Sequence, residues 1–225
     1  MVFVVIEGVD SAGKATQTKL LTDKLKAMGK VVETFSFPTK DHRSTTFIDK
    51  FQTGELGHPD WVDPYIASLY YSIDRFAHHA TLTKKIQVYD VVIAEKYAIS
   101  SFLQRWSQYL QAWDEDAMRV FFSWLYDLEF QKAKIPYPDK IFFLSMSIKN
   151  IEANIRKEHE KRLLWTDQID EKHLLQQKYA QLIGKEFLSW YFENYEIINC
   201  EDDTGRLLTP QAIHQKILAK VLEKL

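Results

Sequence analysis

The sequence predicts an α/β fold of three layers, with a parallel sheet of about five strands and helices on both of its faces. Short apolar runs, such as residues 2–6 and 91–94, alternate along the chain with helix-length amphipathic segments. This alternation is typical of parallel strands that are buried on both faces and joined by crossover helices. A glycine-containing segment, residues 8–16, joins the first apolar run to the first helical segment, and phosphate-binding loops occur at that position.

Composition predicts the broad class of protein. The chain has 225 residues and is 46% hydrophobic, which suits one hydrophobic core, so we expect residues 1–225 to form a single domain. The formal net charge of −2 favours neither a nucleic acid nor a membrane surface as partner. The apolar runs are far shorter than the about 20 residues of a membrane-spanning helix. Cys200 is the only cysteine and no secretory leader is recognisable, so we expect a soluble, cytoplasmic protein.

The first half of the chain is predicted from helical spacing and from its glycine and proline residues. Leucines recur at helical spacing before Gly29, which predicts a helix over 14–28 directly after the first strand. Pro38 cannot donate to a strand ladder, so it ends a second strand over 31–37. Apolar residues at helical spacing then predict a short helix over 47–51 and a long helix over 63–82.

The second half repeats the alternation of strands and helices. Near-continuous apolar runs predict strands over 91–94 and 140–146, and the second of these follows a turn that contains Pro138 and Asp139. The remaining segments predict helices over 100–111 and 116–132, a helix from 148, a helix over 171–192, a strand over 196–200 and a closing helix over 210–225.

The segment after the first strand has the spacing of a phosphate-binding loop. Gly8 and Gly13 are separated by four residues and followed by Lys14, so the backbone N–H groups can turn toward a phosphate and the lysine can reach it. The positive end of the following helix favours the same anion. Ala15 stands where a Ser or Thr usually binds Mg²⁺, and Thr16 points elsewhere on the helix. The alternative is an ordinary strand-to-helix turn with an exposed lysine.

Charged residues mark four further places. Residues 39–43 and the pair Glu95 and Lys96 follow strands at the carboxyl edge of the predicted sheet, where ligands bind in α/β folds. Arg75 shares a helical stripe with an aromatic residue, Tyr71, and is either part of a ligand site or a surface arginine beside a core aromatic. Residues 156–162 form either a solvated helix face or a basic lid.

Several motifs together resemble the thymidylate kinase family of P-loop nucleoside monophosphate kinases over essentially the full chain. The residues that carry the resemblance are Glu7 to Lys14, Phe37-Pro38, Asp74-Arg75 with Tyr71, Glu95-Lys96-Tyr97 with Ser100, Pro138-Asp139 and the basic segment that follows. The resemblance implies the P-loop NTPase fold with a lid at about 155–168, a homodimer, and Mg²⁺-dependent transfer of a phosphoryl group from ATP to dTMP, giving dTDP and ADP.

The resemblance also implies roles for individual residues. The implied catalytic residues are Lys14, Glu95, Lys96, Arg156 and Arg162, with Glu95 as a ligand of Mg²⁺. The implied ATP-binding residues are Gly8, Val9, Asp10, Ser11, Ala12, Gly13, Lys14, Ala15 and Thr16. The implied dTMP-binding residues are Asp10, Phe37, Lys40, Tyr71, Arg75, Lys96, Ser100, Ser101 and Arg105. Among these, Tyr71 would stack on the thymine ring and Arg75 would donate to a base carbonyl.

The sequence departs from the family pattern at the phosphate sites. Ser11 occupies a position that carries a catalytic arginine in some members, so Arg156 or Arg162 of the lid would supply that cation. Lys40 and Lys96 replace family arginines, which keeps the charge but loses the bidentate geometry.

Two further departures lie elsewhere in the chain, and two other functions remain open. Arg105 stands where glutamine is common, and Ser145 replaces a frequent aspartate. A deoxynucleoside kinase is one alternative, but it needs a carboxylate base after the second strand, where this chain has Lys40. A nucleotide-binding homologue with weak activity is the other, and Ala15 and the two lysine replacements favour it.

Overall fold

A computed structural model describes residues 1–40, 42–59, 61–100, 114–162 and 171–225. Its strands are β1 (Val2–Gly8), β2 (Val32–Ser36), β3 (Val91–Glu95), β4 (Lys140–Ser145) and β5 (Tyr195–Asn199). They form one sheet in the order β2-β3-β1-β4-β5, and every neighbouring pair is parallel. The predicted five-stranded parallel sheet is therefore confirmed. β1 lies at its centre, so the loop that follows β1 opens at the middle of the carboxyl edge.

Helices pack around this sheet, as predicted. They are α1 (Lys14–Ala27), α2 (Thr46–Gln52), α3 (Pro64–Ile86), α4 (Glu115–Tyr126), α5 (Ile148–Arg162), α6 (Glu171–Tyr191) and α7 (Pro210–Leu222). A further helix begins at residues 98–100, and the rest of the helix predicted over 100–111 lies outside the described residues. Within the described ranges, no helix combines the length and apolar character that crossing a membrane requires.

The helix predicted over 116–132 is wrong in its second half. An α-helix, α4, ends at Tyr126 and continues as a π-helix over Asp127–Lys132. The wider turn is visible in the hydrogen bond from Ala133 N–H to the Leu128 carbonyl, which spans five residues. Hydrophobic spacing does not distinguish the two helix types over one turn, so the sequence pattern did not reveal this change.

The core explains why the strand sequences are continuously apolar. Every residue of β1 is buried, and residues 91–94 of β3 and 141–144 of β4 are all inaccessible to solvent. Helices that cover both faces of the sheet remove the polar face that an antiparallel sheet usually keeps. Phe121 and Phe122 of α4 are fully buried in the same core.

Side chains at the ends of elements fix several boundaries. Asp63 and Thr209 accept hydrogen bonds from backbone N–H groups in the first turns of α3 and α7, and each of these helices begins with proline. Asp139 joins the start of β4 to β1, because its carboxylate accepts from Phe3 N–H at 2.7 Å.

Cys200 is buried, and burial raises the pKa of its thiol to about 11, so it is a core residue rather than a nucleophile.

Candidate active site

The loop between β1 and α1 has the backbone conformation of a phosphate cradle. Gly8, Ser11 and Gly13 all have positive φ angles, of 146°, 58° and 92°. A Cβ atom on Gly8 would lie 3.0 Å from the Leu144 carbonyl oxygen, so only glycine fits there. Ser11 has no such freedom, and the loop therefore stores backbone strain at this residue.

Lys14 is held inside this loop. Its side chain is buried, and Nζ donates to the carbonyl oxygens of Gly8 at 2.9 Å and Val9 at 2.6 Å. The pKa of Lys14 is lowered to about 8, mainly because the side chain is buried, and the charge of Lys96 acts in the same direction. The carboxylates of Asp10, Glu7 and Glu95 act in the opposite direction and favour the charged ammonium.

This pKa predicts a pH dependence of the reaction with ATP. The ammonium of the free protein loses its proton as the pH rises through about 8. We expect kcat/KM for ATP to be constant between about pH 7 and pH 8, where the phosphates are ionised, and to fall above pH 8, because the neutral amine no longer stabilises phosphate charge. Initial rates of ADP release over a pH series check this. A profile that declines only where ordinary lysines titrate would contradict it.

Residues from α5 and α6 hold the phosphate loop from the other side. The backbone N–H of Asp10 donates to Gln177 Oε1 at 2.8 Å, and Gln177 Nε2 donates back to the Asp10 carboxylate at 3.2 Å. Asn154 Nδ2 donates to the Ser11 carbonyl at 3.1 Å. Neither amide was predicted from the sequence, since nothing local in a helix sequence signals a contact to a loop more than a hundred residues away.

Glu7 is a buried acid directly before the loop, and no role was predicted for it from the sequence. Its carboxylate accepts from the backbone N–H groups of Tyr97 at 2.7 Å and Ser100 at 3.3 Å, and from the Ser100 hydroxyl. Burial raises the pKa of Glu7, and these hydrogen bonds partly oppose that effect. Glu7 therefore fixes the start of the helix after β3 against β1. A carboxylate inside an otherwise apolar strand was the available signal.

A cleft opens beside the phosphate loop. Its lining residues come from the ends of β2 and β3, from α2 and from α3: Phe37, Pro38, Gln52, Tyr71, Asp74, Arg75, Lys96, Tyr97 and Ser100. Five residues predicted to bind dTMP thus line one cleft, namely Phe37, Tyr71, Arg75, Lys96 and Ser100. The Lys96 backbone has a φ of 58°, a strained value for a residue other than glycine.

Arg75 is not a surface residue, so that alternative is wrong. Its side chain is 2% exposed and forms an ion pair with Glu129, which is completely buried. Arg75 Nε donates to Glu129 Oε2 at 2.8 Å, and Nη2 donates to the other carboxylate oxygen. Burial alone lowers the pKa of Arg75, but the Glu129 carboxylate reverses this and raises it overall.

Asp74 anchors the loop that follows β2. Its carboxylate accepts from Thr39 N–H at 2.8 Å, from the Thr39 hydroxyl at 2.6 Å and from the Ser44 hydroxyl at 2.5 Å. The ring of His78 lies against the same carboxylate at 3.5 Å. Lys40, the next residue after Thr39, is exposed. The loop that presents Lys40 is thus tied to the helix that carries Arg75.

The other predicted residues lie in several places. Glu95 is partly buried at the carboxyl end of β3, whereas Ala15 and Thr16 are exposed at the start of α1. Arg156 is exposed on α5 and pairs with Glu152 of the same helix at 2.6 Å. The remaining predicted residues lie outside the described ranges or have side chains that are not described: Ser101, Arg105 and Arg162.

Comparisons with known proteins agree with this geometry. A probable thymidylate kinase from Thermococcus kodakarensis is 28% identical over 225 residues, which cover 97% of this chain and 96% of the relative. The thymidylate kinase of Mycobacterium tuberculosis is 28% identical over 148 residues, 64% of this chain and 65% of the relative. The solved structure of thymidylate kinase from Candida albicans shares the fold, with a TM-score of 0.66, 17% identity, and coverage of 99% of this chain and 91% of that one.

A family model agrees with these relatives. The model described as thymidylate kinase matches residues 6–200, which include the phosphate loop, the cleft and both helices that hold the loop. The chain therefore belongs to the thymidylate kinase family.

Proposed function

We propose that this protein transfers the γ-phosphoryl group of ATP to dTMP, giving dTDP and ADP. The observation that carries the proposal is the position of Lys96. This residue lines the cleft, and its Nζ lies 3.6 Å from the Asp10 carboxylate of the phosphate loop. One cation is thus shared between the loop and the cleft. That is the arrangement needed when the phosphate of one nucleotide is the acceptor for another.

The cleft supplies groups suited to a pyrimidine monophosphate. In this proposal the Tyr71 ring stacks on the base and Arg75 donates to a base carbonyl. Lys40 and Lys96 hold the monophosphate as point charges. Phe37 is buried between Phe35 and Tyr97 and gives the cleft an apolar wall. Ser100, and with it Ser101 and Arg105, completes the acceptor site.

The donor side acts mainly through charge and position. The backbone N–H groups of residues 8–16 and the Lys14 ammonium bind the phosphates of ATP. A phosphate oxygen of dTMP attacks the γ-phosphorus, and the bond from that phosphorus to the bridging oxygen of ADP breaks. The attacking oxygen is already ionised, so no general base is required. Lys14 and Lys96 stabilise the charge on the transferred group.

The acids around Lys14 fit a bound Mg²⁺. Asp10 and Glu95 both act on the Lys14 ammonium, so their carboxylates lie near the site of the phosphates. Mg²⁺ is commonly held by one or two carboxylates together with substrate phosphates and water, which compensates for the missing hydroxyl at Ala15. We propose that Asp10 and Glu95 hold the ion. When bound, it neutralises charge on the ATP phosphates.

A coupled assay of ADP release tests the acceptor. The purified protein is given ATP, Mg²⁺ and one candidate at a time: dTMP, dUMP, dCMP, dGMP or thymidine. We expect the highest kcat/KM with dTMP. Rates that never exceed the rate with ATP alone would contradict the proposal. A rate with thymidine but not with dTMP would favour a deoxynucleoside kinase instead.

We also propose that the whole chain forms one domain and that the protein is cytoplasmic, as its single cysteine leads us to expect. Residues of about 155–168 form a lid in this proposal. In the structure Arg156 faces Glu152 on an exposed helix surface. Lid closure would have to bring Arg156 or Arg162 to the transferred phosphate. Such an ion pair between exposed side chains is worth about 1 kcal/mol or less, so it does not prevent the movement.

The lid assignment predicts a kinetic difference. We expect Arg156→Ala or Arg162→Ala to lower kcat by about tenfold or more with a smaller rise in KM, because a transition-state cation acts mainly on the chemical step. Glu152→Gln is the control, since it releases Arg156 without removing it. An unchanged kcat in both arginine variants would contradict the assignment.

A homodimer is also part of the proposal. α3 carries the cleft residues on one side and exposed apolar residues on another. Ile66 and Ile73 lie seven positions apart on one stripe of this helix and are 46% and 38% exposed. Phe47 of α2, 47% exposed, adds to the apolar surface. We expect light scattering after gel filtration to give the mass of two chains. A single-chain mass would contradict this part.

A further inference from the structure

The carboxylate of Glu129 is buried and contacts the candidate active site through Arg75. It is 0% exposed and lies on the π-helix, 54 positions from Arg75 in the sequence. Three donors converge on it: Arg75 Nε at 2.8 Å, Arg75 Nη2, and the Ser72 hydroxyl at 2.6 Å. A buried carboxylate with this many donors is held in one orientation.

The π-helix gives this carboxylate a fixed origin. The Glu129 carbonyl accepts from Ile135 N–H at 3.0 Å, and its neighbour Leu128 accepts from Ala133 N–H at 2.9 Å. These two hydrogen bonds therefore fix the backbone on either side of the Glu129 side chain. Phe130, the next residue, is buried in the core. Single π turns are frequent at functional sites, and Glu129 lies within this one.

The ion pair determines what Arg75 can do in the cleft. Glu129 neutralises the guanidinium and takes the edge formed by Nε and Nη2, and the arginine still lines the cleft with Tyr71 and Lys96. A guanidinium in such a pair suits an uncharged acceptor better than a phosphate. The phosphate is left to Lys96, whose nearest described carboxylate contact is 3.6 Å long.

We propose that Glu129 is a positioning residue that holds Arg75 for recognition of a pyrimidine with a carbonyl group at ring position 4. This inference rests on the proposed function. Arginine can only donate hydrogen bonds, so a fixed Arg75 donates to the carbonyl oxygen of thymine and disfavours the amino group of cytosine at the same position. Ser72 completes the arrangement by donating to the carboxylate oxygen that Nη2 also contacts.

The first test is Glu129→Gln, which keeps the size of the side chain and removes its charge. We expect KM for dTMP to rise roughly tenfold to a hundredfold, the usual range for a hydrogen-bonded charged group, and the ratio of kcat/KM for dTMP over dCMP to fall. KM for ATP should stay within about twofold. Glu115→Gln is the matched control, because it makes the same substitution in α4, the helix before the π-helix. It removes an ion pair between Glu115 and Arg119, whose side chains are both exposed.

A double-mutant cycle separates positioning from a general structural role. If Glu129 acts through Arg75, then Glu129→Gln adds no further rise in KM for dTMP once Arg75→Gln is present. An equal rise in the presence and absence of Arg75 would overturn the inference. So would a Glu129→Gln variant that raises KM for ATP and dTMP by the same factor.

Ser72→Ala covers the case in which Glu129→Gln does not fold. This variant leaves the ion pair intact and removes one donor to Glu129. We expect a rise of about threefold to tenfold in KM for dTMP with KM for ATP unchanged, and an unchanged KM for dTMP would overturn the inference. Absence of dTDP formation by the wild-type protein would instead count against the proposed function, so the two failures are distinguishable.

Discussion

Lys14→Met is expected to lower kcat by about a hundredfold to a thousandfold while the protein stays folded. That range is typical when one preorganised charged or polar donor is removed from an active site. Nζ of Lys14 is held between the Gly8 and Val9 carbonyl oxygens, and the side chain is buried. The ammonium is thus fixed where the phosphates of ATP would lie. Methionine fills the same space without the charge, so the effect falls on catalysis more than on packing.

Lys19→Met is the control for Lys14→Met. Lys19 lies on the same helix, but its side chain is 75% exposed and forms an exposed ion pair with Asp23, so we expect wild-type kcat within about twofold. Thermal unfolding should show both variants folded. A Lys14→Met protein that keeps kcat within about threefold of wild type would contradict the role assigned to the loop.

Glu7→Ala is expected to lower the free energy of unfolding by about 2 to 4 kcal/mol. Three donors lose their acceptor, namely the N–H groups of Tyr97 and Ser100 and the Ser100 hydroxyl, and each unpaired buried donor costs about 1 to 3 kcal/mol. Removing a buried carboxylate returns part of this, because burial raises the pKa of Glu7 and the charged form is costly. The cleft also loses the support of Ser100, so kcat/KM for dTMP should fall.

Urea denaturation measures this change. Glu33→Ala is the control, since Glu33 lies on β2, is partly exposed and contacts Lys85 only at 3.5 Å; we expect its effect to stay within about 0.5 kcal/mol. If Glu7→Ala were as stable as Glu33→Ala, the proposed link between β1 and the start of the helix after β3 would be wrong.

The fold could be predicted because its signals are local and repeated. Continuous burial of β1, β3 and β4 appears in the sequence as apolar runs, and glycine, proline and capping residues mark the boundaries between elements. The errors have physical causes. β1 runs to Gly8, whereas its end was predicted at Ile6. The prediction stopped too early because Glu7 is charged, although it is a completely buried residue of the strand.

The site was less predictable, because much of it depends on contacts between distant segments. The phosphate loop has a local pattern and was recognised from it. Glu129 has none: its role comes from a π turn and from an ion pair across 54 positions. The same holds for Gln177 and Asn154, which hold the loop from two other helices. Arg75 could be assigned to a site only through resemblance, since its sequence position also suits a surface residue.

Direct identification of the products tests the central claim most sharply. The purified protein is incubated with Mg²⁺, dTMP and ATP labelled in its γ-phosphate, and the nucleotides are separated by ion-exchange chromatography. The proposed reaction predicts labelled dTDP in an amount equal to the ADP formed. Label recovered as inorganic phosphate without dTDP would show ATP hydrolysis instead and would contradict the assignment of the cleft as the acceptor site.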